Sequence, residues 1–122
     1  MLNFMMGQRA TASRLTPQDA VAMAKEGQIT VIDVRDHNEL AMTGKAQGAV
    51  HIPLSVIQMQ ANPASPDFNR ALDQNKPVAV YCASGARSSM ATQVLQQYGF
   101  TDVHNIGGLG HWQMAGGAIV RA

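Results

Sequence analysis

A single cysteine closes a short apolar run in the segment VAVYCASGARSS, and small residues follow it. Cys82 is the only cysteine in the sequence. Small side chains leave the interior of the next turn to backbone, so successive N–H groups can face inward and hold an anion. A helical pattern begins directly afterwards and adds the positive end of its dipole. The pattern predicts an acidified, nucleophilic thiolate in a substrate-binding loop made of Ala83, Ser84, Gly85, Ala86, Arg87 and Ser88.

Two residues of this segment have alternative interpretations. A lone cysteine is most often a small buried hydrophobic residue, but the strand end, the small-residue loop and the helix start coincide here and favour a nucleophile. Arg87 either offers its charge to an oxyanion or donates a fork of hydrogen bonds that braces the loop. The sequence is compatible with both roles of Arg87.

The elements that position this loop alternate between strand and helix. A first helix is predicted to begin after Thr16, its N-cap residue, with Pro17 at the first helical position, and to end at Gly27. Buried strands are predicted at 29–34, in AVHIPL, at 78–82 and in TDVHNI, with helices in RDHNELAMTG, from Ser65 into Leu72, in RSSMATQVLQQYG and in GGLGHWQMAGG. In RSSMATQVLQQYG the predicted apolar face includes Met90, and Ser88 points away from it. The alternation predicts an α/β fold with a mostly parallel sheet covered on both faces.

Other polar residues fit structural roles better than chemical ones. Arg35 has Asp33 two residues before it and Glu39 four residues after it, which predicts an ion-pair network that ties strand to helix. The four histidines show no metal-like spacing, so no metal site is predicted; they are His37, His51, His104 and His111. His111 is the one best placed to approach the cysteine.

Composition and charge narrow the functional classes. Nine Lys and Arg against eight Asp and Glu give a net charge of +1 without a basic run, so a nucleic-acid partner is not expected. No apolar run reaches the roughly 18 residues of a membrane span. One cysteine cannot form an internal disulfide, and the start lacks a signal pattern, which together predict a cytoplasmic protein. Residues 1–14 are predicted to form an N-terminal extension and residues 15–122 a single domain.

From about Leu15 to Gly117 the chain resembles the single-domain form of the rhodanese-like sulfurtransferases. The resemblance rests on VIDVRDHNEL, GKAQGAVHIPL, VYCASGARS and IGGLGHW, which occur in the family's order and at its usual distances. The chain departs from the family pattern in GKAQGA, where relatives commonly read Gly-His-Ile-Pro-Gly-Ala.

The resemblance implies a three-layer fold with a central sheet of about five strands. It implies that Cys82 takes a sulfane sulfur from a donor such as thiosulfate and holds it as a persulfide in the loop Cys82 to Arg87. An acceptor then removes the sulfur: cyanide in assays, a thiol or a protein in cells. No cofactor is implied, and Asp33, Arg35 and Glu39 take structural roles near the site.

Three alternatives remain open at this point. Related phosphatases and arsenate reductases use a loop one residue longer, in which Ser88 would stand at the arginine position, and the smaller nest here favours sulfur over phosphate. A protein-docking module of the same fold is a second alternative, although such modules often lack the cysteine. A sulfur-relay protein is the third. Since Arg87 is the only cationic residue of the loop, thiosulfate binding is predicted to be weak and salt-sensitive.

Overall fold

A computed structural model describes residues 15–122, and the predicted N-terminal extension lies outside the described residues. The helices are α1 (Pro17–Lys25), α2 (His37–Thr43), α3 (Ile57–Gln60), α4 (Ala86–Gln97) and α5 (Leu109–Met114), and a 3-10 turn at Leu54–Val56 precedes α3. The strands are β1 (Thr30–Asp33), β2 (Lys45–Ala46), β3 (Val50–His51), β4 (Val78–Cys82), β5 (Val103–Gly108) and β6 (Ile119–Val120). Among the described residues, no helix has the length and apolar character needed to cross a bilayer.

The central sheet has the strand order β3-β1-β4-β5, and all three of its pairings are parallel. The predicted α/β fold with a mostly parallel sheet is therefore confirmed. The central sheet has four strands, while the short strands β2 and β6 form a separate antiparallel pair. Because the strands run in one direction, their carboxyl ends meet at one edge, and the loop after β4 opens at the middle of this edge.

Residues of β4 alternate between the two faces of the sheet. Val78, Val80 and Cys82 belong to a core that α3 and α4 complete. Ala79 and Tyr81 belong to a second core, which α1 and α5 complete. Helices thus cover both faces, as predicted, and this explains why β4 is apolar at every position: none of its residues can face water.

The first helix begins where its capping residues predict. The Thr16 side chain accepts a hydrogen bond from the backbone N–H of Asp19 at 3.0 Å, and the Asp19 carboxylate accepts one from the backbone N–H of Thr16 at 3.0 Å. This reciprocal capping box satisfies two N–H groups that the helix itself leaves unpaired. Ala20 and Val21 are then buried against the sheet.

The prediction of a helix from Ser65 into Leu72 is wrong, because residues 61–77 form a series of turns. In four of these turns a short polar side chain accepts a hydrogen bond from the N–H two residues later; the side chains are Asn62, Ser65, Asn69 and Asp73. Such local bonds compete with helical ones and hold the backbone in turns. Leu72 is buried without helical structure.

Candidate active site

The loop after β4 brings Cys82 to the start of α4. Gly85 is the residue that caps this helix, and its φ of 110° lies in the left-handed region that side-chain-bearing residues rarely adopt. The helix begins at Ala86, so the small-residue loop and the helix start adjoin as predicted. Cys82 itself is buried, with 1% of its surface exposed.

Hydrogen-bond donors surround the sulfur atom of Cys82. The backbone N–H of Gly85 donates to Sγ at 3.0 Å, and the Ser88 hydroxyl lies 3.4 Å from Sγ. Burial raises the pKa of the thiol. Hydrogen bonds from the Ser88 hydroxyl and from the backbone N–H groups of Ser88, Gly85 and Ser84 together lower it by a larger amount, so the pKa is about 7. Near neutral pH a large fraction of this buried cysteine is therefore thiolate, as a nucleophile requires.

Ser88 is fully buried, with a relative exposure of 0%. The prediction that it points away from the packed face of its helix is therefore wrong. Met90, predicted on the apolar face, is 59% exposed. Helical spacing indicated a stripe of apolar residues, but the buried face of α4 is rotated toward Ser88 because the hydroxyl has partners inside the site.

We expect the alkylation rate of Cys82 to rise with pH through a midpoint near 7. Since the pKa is lowered, the thiolate is present above this midpoint and is lost as the pH falls below it. The measurement is the rate of reaction with iodoacetamide from about pH 5 to about pH 10, where the rate follows the thiolate fraction.

In the same assay Ser88→Ala is expected to raise the midpoint by about half a unit to one unit, because one donor to the thiolate is lost. The backbone N–H groups remain, so the midpoint should stay below the 9.0 of an ordinary thiol. An unchanged midpoint would show that the hydroxyl does not act on the sulfur.

Arg87 forms a bidentate ion pair with Glu39 of α2. Its Nη1 and Nη2 atoms donate to the two carboxylate oxygens at 2.7 Å and 2.9 Å. The hydrogen bonds from Arg87 hold the pKa of Glu39 at about 2, and the same contact raises the pKa of Arg87. Both side chains are about one third exposed. Of the two roles open to Arg87, the geometry supports bracing, since the guanidinium fork already binds a carboxylate.

Arg35 and Asp33 form a second ion pair, which is buried. The Arg35 guanidinium donates to Asp33 through both Nε and Nη2, and to the Gly44 carbonyl at 2.6 Å. The Tyr81 hydroxyl donates to the same carboxylate. The predicted network is therefore present between Asp33 and Arg35, but Glu39 is hydrogen-bonded to Arg87 instead. Sequence spacing could not indicate this partner, since Arg87 lies 48 positions from Glu39.

The carboxyl end of β5 packs directly against the loop. A Cβ atom on Gly108 would lie 2.1 Å from the carbonyl oxygen of Ala83 and 3.4 Å from the N atom of Ser84. Gly108 pairs with Cys82 in the sheet, past an irregularity in the register of β4 and β5. Only glycine lets the two backbones approach so closely, and the function of this position was not predicted.

The histidines make contacts with groups other than the sulfur. His51 donates from Nε2 to the Arg35 carbonyl at 2.6 Å, and its ring packs edge-on against His37. His104 pairs with Asp102. His111 accepts a hydrogen bond at Nδ1 from the Gly108 N–H at 2.9 Å, which places it behind the loop-contacting glycine. Within residues 15–122, no group of three or more His, Cys, Asp or Glu side chains is arranged to hold a metal ion.

The chain is similar to known proteins over most of its described length. The family described as "Rhodanese-like domain" matches residues 16–115. The thiosulfate sulfurtransferase GlpE of Pseudomonas fluorescens is 35% identical over 101 residues, which are 82% of this chain and 84% of GlpE. The thiosulfate sulfurtransferase PspE of Escherichia coli is 40% identical over 63 residues, 52% of this chain and 55% of PspE.

A solved structure extends the likeness to three dimensions. The protein RPA3614 of Rhodopseudomonas palustris, described as a possible tyrosine phosphatase, superposes with a TM-score of 0.77 and 34% identity over 88% of this chain and 83% of its own. The family match covers the sheet, the cysteine loop and α5. On this evidence the chain belongs to the rhodanese-like family.

Proposed function

We propose that the protein is a sulfurtransferase that carries a sulfane sulfur on Cys82. The observation that supports this most strongly is the buried sulfur held by the Gly85 N–H and the Ser88 hydroxyl at the start of a helix. Relatives named thiosulfate sulfurtransferases support a rhodanese-type enzyme with a small sulfur donor. In this proposal Cys82 is the catalytic residue, and Ala83 to Ser88 form the loop that receives the donor.

The reaction proceeds in two balanced steps. The Cys82 thiolate attacks the outer sulfur of thiosulfate, the S–S bond of thiosulfate breaks, and sulfite leaves with the bonding electron pair. A thiolate or cyanide then attacks the terminal sulfur of the persulfide, and Cys82 returns as thiolate. Because neither step requires a general acid or an external oxidant, the chain needs no cofactor for this chemistry.

The loop supplies electrostatic stabilisation rather than proton transfer. Backbone N–H groups at the helix start favour negative charge on Cys82 and on the persulfide that replaces it. Arg87 adds positive charge, but Glu39 neutralises most of it. The donor is therefore a small anion that reaches the sulfur with little charge attraction, and the acceptor is a thiol on a small molecule or a protein. In our proposal residues 15–122 form the single domain that transfers the sulfur. The protein acts in the cytoplasm, and neither nucleic acid nor a membrane is its partner.

Phosphatase activity fits the site less well. RPA3614 is described as a possible tyrosine phosphatase, but in this chain the six-residue loop from Cys82 to Arg87 leaves a small nest. A phosphate dianion would need the guanidinium fork that Glu39 occupies. The small nest favours a single bound sulfur atom over a tetrahedral phosphate, and the occupied fork leaves Arg87 unable to bind the phosphate by two hydrogen bonds while Glu39 is in place.

The intact mass of the protein after brief exposure to thiosulfate and desalting tests the proposal. We expect a gain of one sulfur, about 32 Da, on the wild type and none on Cys82→Ser, in which an unreactive hydroxyl replaces the nucleophile. The gain should disappear on addition of cyanide. Fast discharge to a protein but not to small thiols would identify a sulfur-relay role.

No mass gain with thiosulfate, mercaptopyruvate or a persulfide donor would refute sulfur transfer. The docking-module interpretation would then be preferred, and hydrolysis of an aryl phosphate that depends on Cys82 would instead establish a phosphatase.

Glu39→Gln is expected to lower the KM for thiosulfate by about three- to tenfold at low ionic strength, because a negative charge beside Arg87 disappears while the glutamine retains a hydrogen bond. The difference should shrink as salt is added, since screening weakens the attraction between Arg87 and the dianion. Steady-state kinetics at two ionic strengths give the measurement. A KM that is unchanged at low salt would mean that Arg87 does not act on the donor.

A further inference from the structure

Asn105 of β5 is exposed, yet both ends of its carboxamide are bound. Its Nδ2 donates to the Gly85 carbonyl at 2.9 Å. Its Oδ1 accepts hydrogen bonds from the Gly107 N–H at 3.0 Å and from the Ser88 hydroxyl at 2.7 Å. One surface side chain therefore connects the cysteine loop, the first turn of α4 and the end of β5.

Its neighbours fix the orientation of this carboxamide. The Gly107 N–H can only donate and therefore needs the oxygen, while the Gly85 carbonyl can only accept and needs the NH2 group. An aspartate would lack the donor, and a leucine would lack both functions. The three contacts thus select asparagine for a reason that surface exposure alone does not give.

Gly85 is held on both sides of its Cα atom. Its N–H donates to the sulfur of Cys82, and its carbonyl accepts from Asn105 and from the Ser89 N–H. The left-handed backbone of Gly85 is a conformation that an unattached loop would leave readily. The bond from Asn105 restrains the residue whose N–H faces the thiolate.

Ser88 also depends on Asn105. The hydroxyl has one proton and three neighbours that can accept it: Oδ1 of Asn105 at 2.7 Å, Sγ of Cys82 at 3.4 Å and the Gly107 carbonyl at 3.5 Å. When the thiol ionises, the proton can turn toward the sulfur, and Oδ1 keeps its bond from the Gly107 N–H. Asn105 therefore holds the hydroxyl beside the sulfur without being left unpaired when the hydroxyl turns.

We propose that Asn105 is a positioning residue of the sulfur-transfer site, which anchors Gly85 and Ser88 so that both face the Cys82 sulfur. This role assumes the proposed sulfur transfer, but the observations that support it are the hydrogen bonds of Asn105 to Gly85 and Ser88. The charged pair that faces the sulfur is Arg87 with Glu39, while Asp33 and Arg35 pair with each other beside Tyr81, on the other face of the sheet. Asn105 acts next to the sulfur as a neutral group.

The test measures the midpoint of iodoacetamide alkylation of Cys82 against pH in Asn105→Ala and Asn105→Asp. We expect Asn105→Ala to raise the midpoint by about one unit, a roughly tenfold loss of thiolate at pH 6. Asn105→Asp should raise it further, because the variant loses the donor to Gly85 and adds a negative charge near the sulfur. Asn75→Asp, which adds the same charge in an exposed turn, should leave it unchanged.

Sulfur-transfer kinetics separate positioning from folding. For Asn105→Ala we expect a rate deficit at pH 6 that narrows at pH 9, where the thiol is ionised in both proteins; a merely structural role would reduce the rate equally at both values. Far-UV circular dichroism confirms the fold, and the exposed side chain leaves no core cavity when it is removed. Asn105→Ser, which is uncharged but loses the donor to the Gly85 carbonyl, provides the second test should the Ala variant fold poorly.

Two results would overturn the proposal. An unchanged midpoint in Asn105→Ala would mean that Asn105 does not position the donors, and a rise in Asn105→Asp alone would then be an effect of its charge. A lowered midpoint in Asn105→Ala would mean that Asn105 chiefly draws the Ser88 proton away from the sulfur. Alkylation requires no sulfur donor, so either result is distinct from a failure of the proposed sulfur transfer.

Discussion

Gly108→Ala is expected to reduce sulfur transfer by about 100-fold or more, since displacing reacting groups by about 1 Å has an effect of this size. The added Cβ would lie 2.1 Å from the Ala83 carbonyl oxygen. The contacted atoms of Ala83 and Ser84 are backbone, so relief of the strain requires the cysteine loop and the end of β5 to move apart. Movement of the loop would take the Gly85 N–H away from Sγ and return the thiol toward its ordinary pKa. Steady-state transfer to cyanide and the alkylation midpoint measure the two effects.

Gly110→Ala is the matched control for this substitution. Gly110 lies in α5, two residues from Gly108, and a Cβ there would meet nothing within 4 Å. Activity should be unchanged, and alanine should stabilise the helix by up to about 1 kcal/mol. Activity of Gly108→Ala within a factor of two of the wild type would show that the loop tolerates the displacement and that its geometry is not critical.

Arg35→Met is expected to lower the free energy of unfolding by about 3–5 kcal/mol, the range found when one partner of a buried ion pair is removed. Asp33 is 0% exposed and would keep only uncharged partners, the Tyr81 hydroxyl and the Arg35 N–H. The Gly44 carbonyl would also lose its donor. Because domains of this size are stable by only about 5–15 kcal/mol, the variant should be close to unfolding at 37 °C. Urea denaturation followed by circular dichroism gives the measurement.

Two comparisons identify the source of this loss. Arg35→Lys keeps a positive charge and should lose less than Arg35→Met; equal losses would assign the effect to packing and to the lost bonds to Thr43 and Gly44. Glu39→Gln removes a partner from the pair that is about one third exposed, and should change stability by less than about 1 kcal/mol. The contrast would separate the buried ion pair, which affects folding, from the exposed one at the loop.

The fold was predictable where one local pattern determined the structure. Thr16 and Pro17 fixed the start of α1, and the β-branched and apolar runs fixed β1 and β4. The pairing of β2 with β6 was not predictable, because two-residue strands have no period and their partners lie far apart in the chain. The predicted helix after Ser65 failed since the same Ser, Asn and Asp residues that cap helices also close turns.

The candidate site was predictable only along its own segment. The loop from Cys82 to Arg87 and the helix start were visible because they are consecutive. The contacts that support this loop from other elements cross the fold: Arg87 with Glu39, and Asn105 with Gly85 and Ser88. The sequence does not indicate the hydrogen-bond partners of an asparagine in a strand, and the helical period of α4 wrongly placed the Ser88 side chain away from the packed face.

The parallel order of the central sheet has a consequence for how the protein matures. No pairing in this sheet is a hairpin, and Asp33 and Tyr81, which face each other across β1 and β4, are 48 positions apart. Such non-local topologies assemble late and cooperatively. A nascent chain that has already exposed Cys82 still lacks β5, with Asn105 and Gly108. Under the role proposed for Asn105, the donors around the sulfur are fixed in place only when this last parallel strand docks, so thiol reactivity becomes a reporter of completed folding.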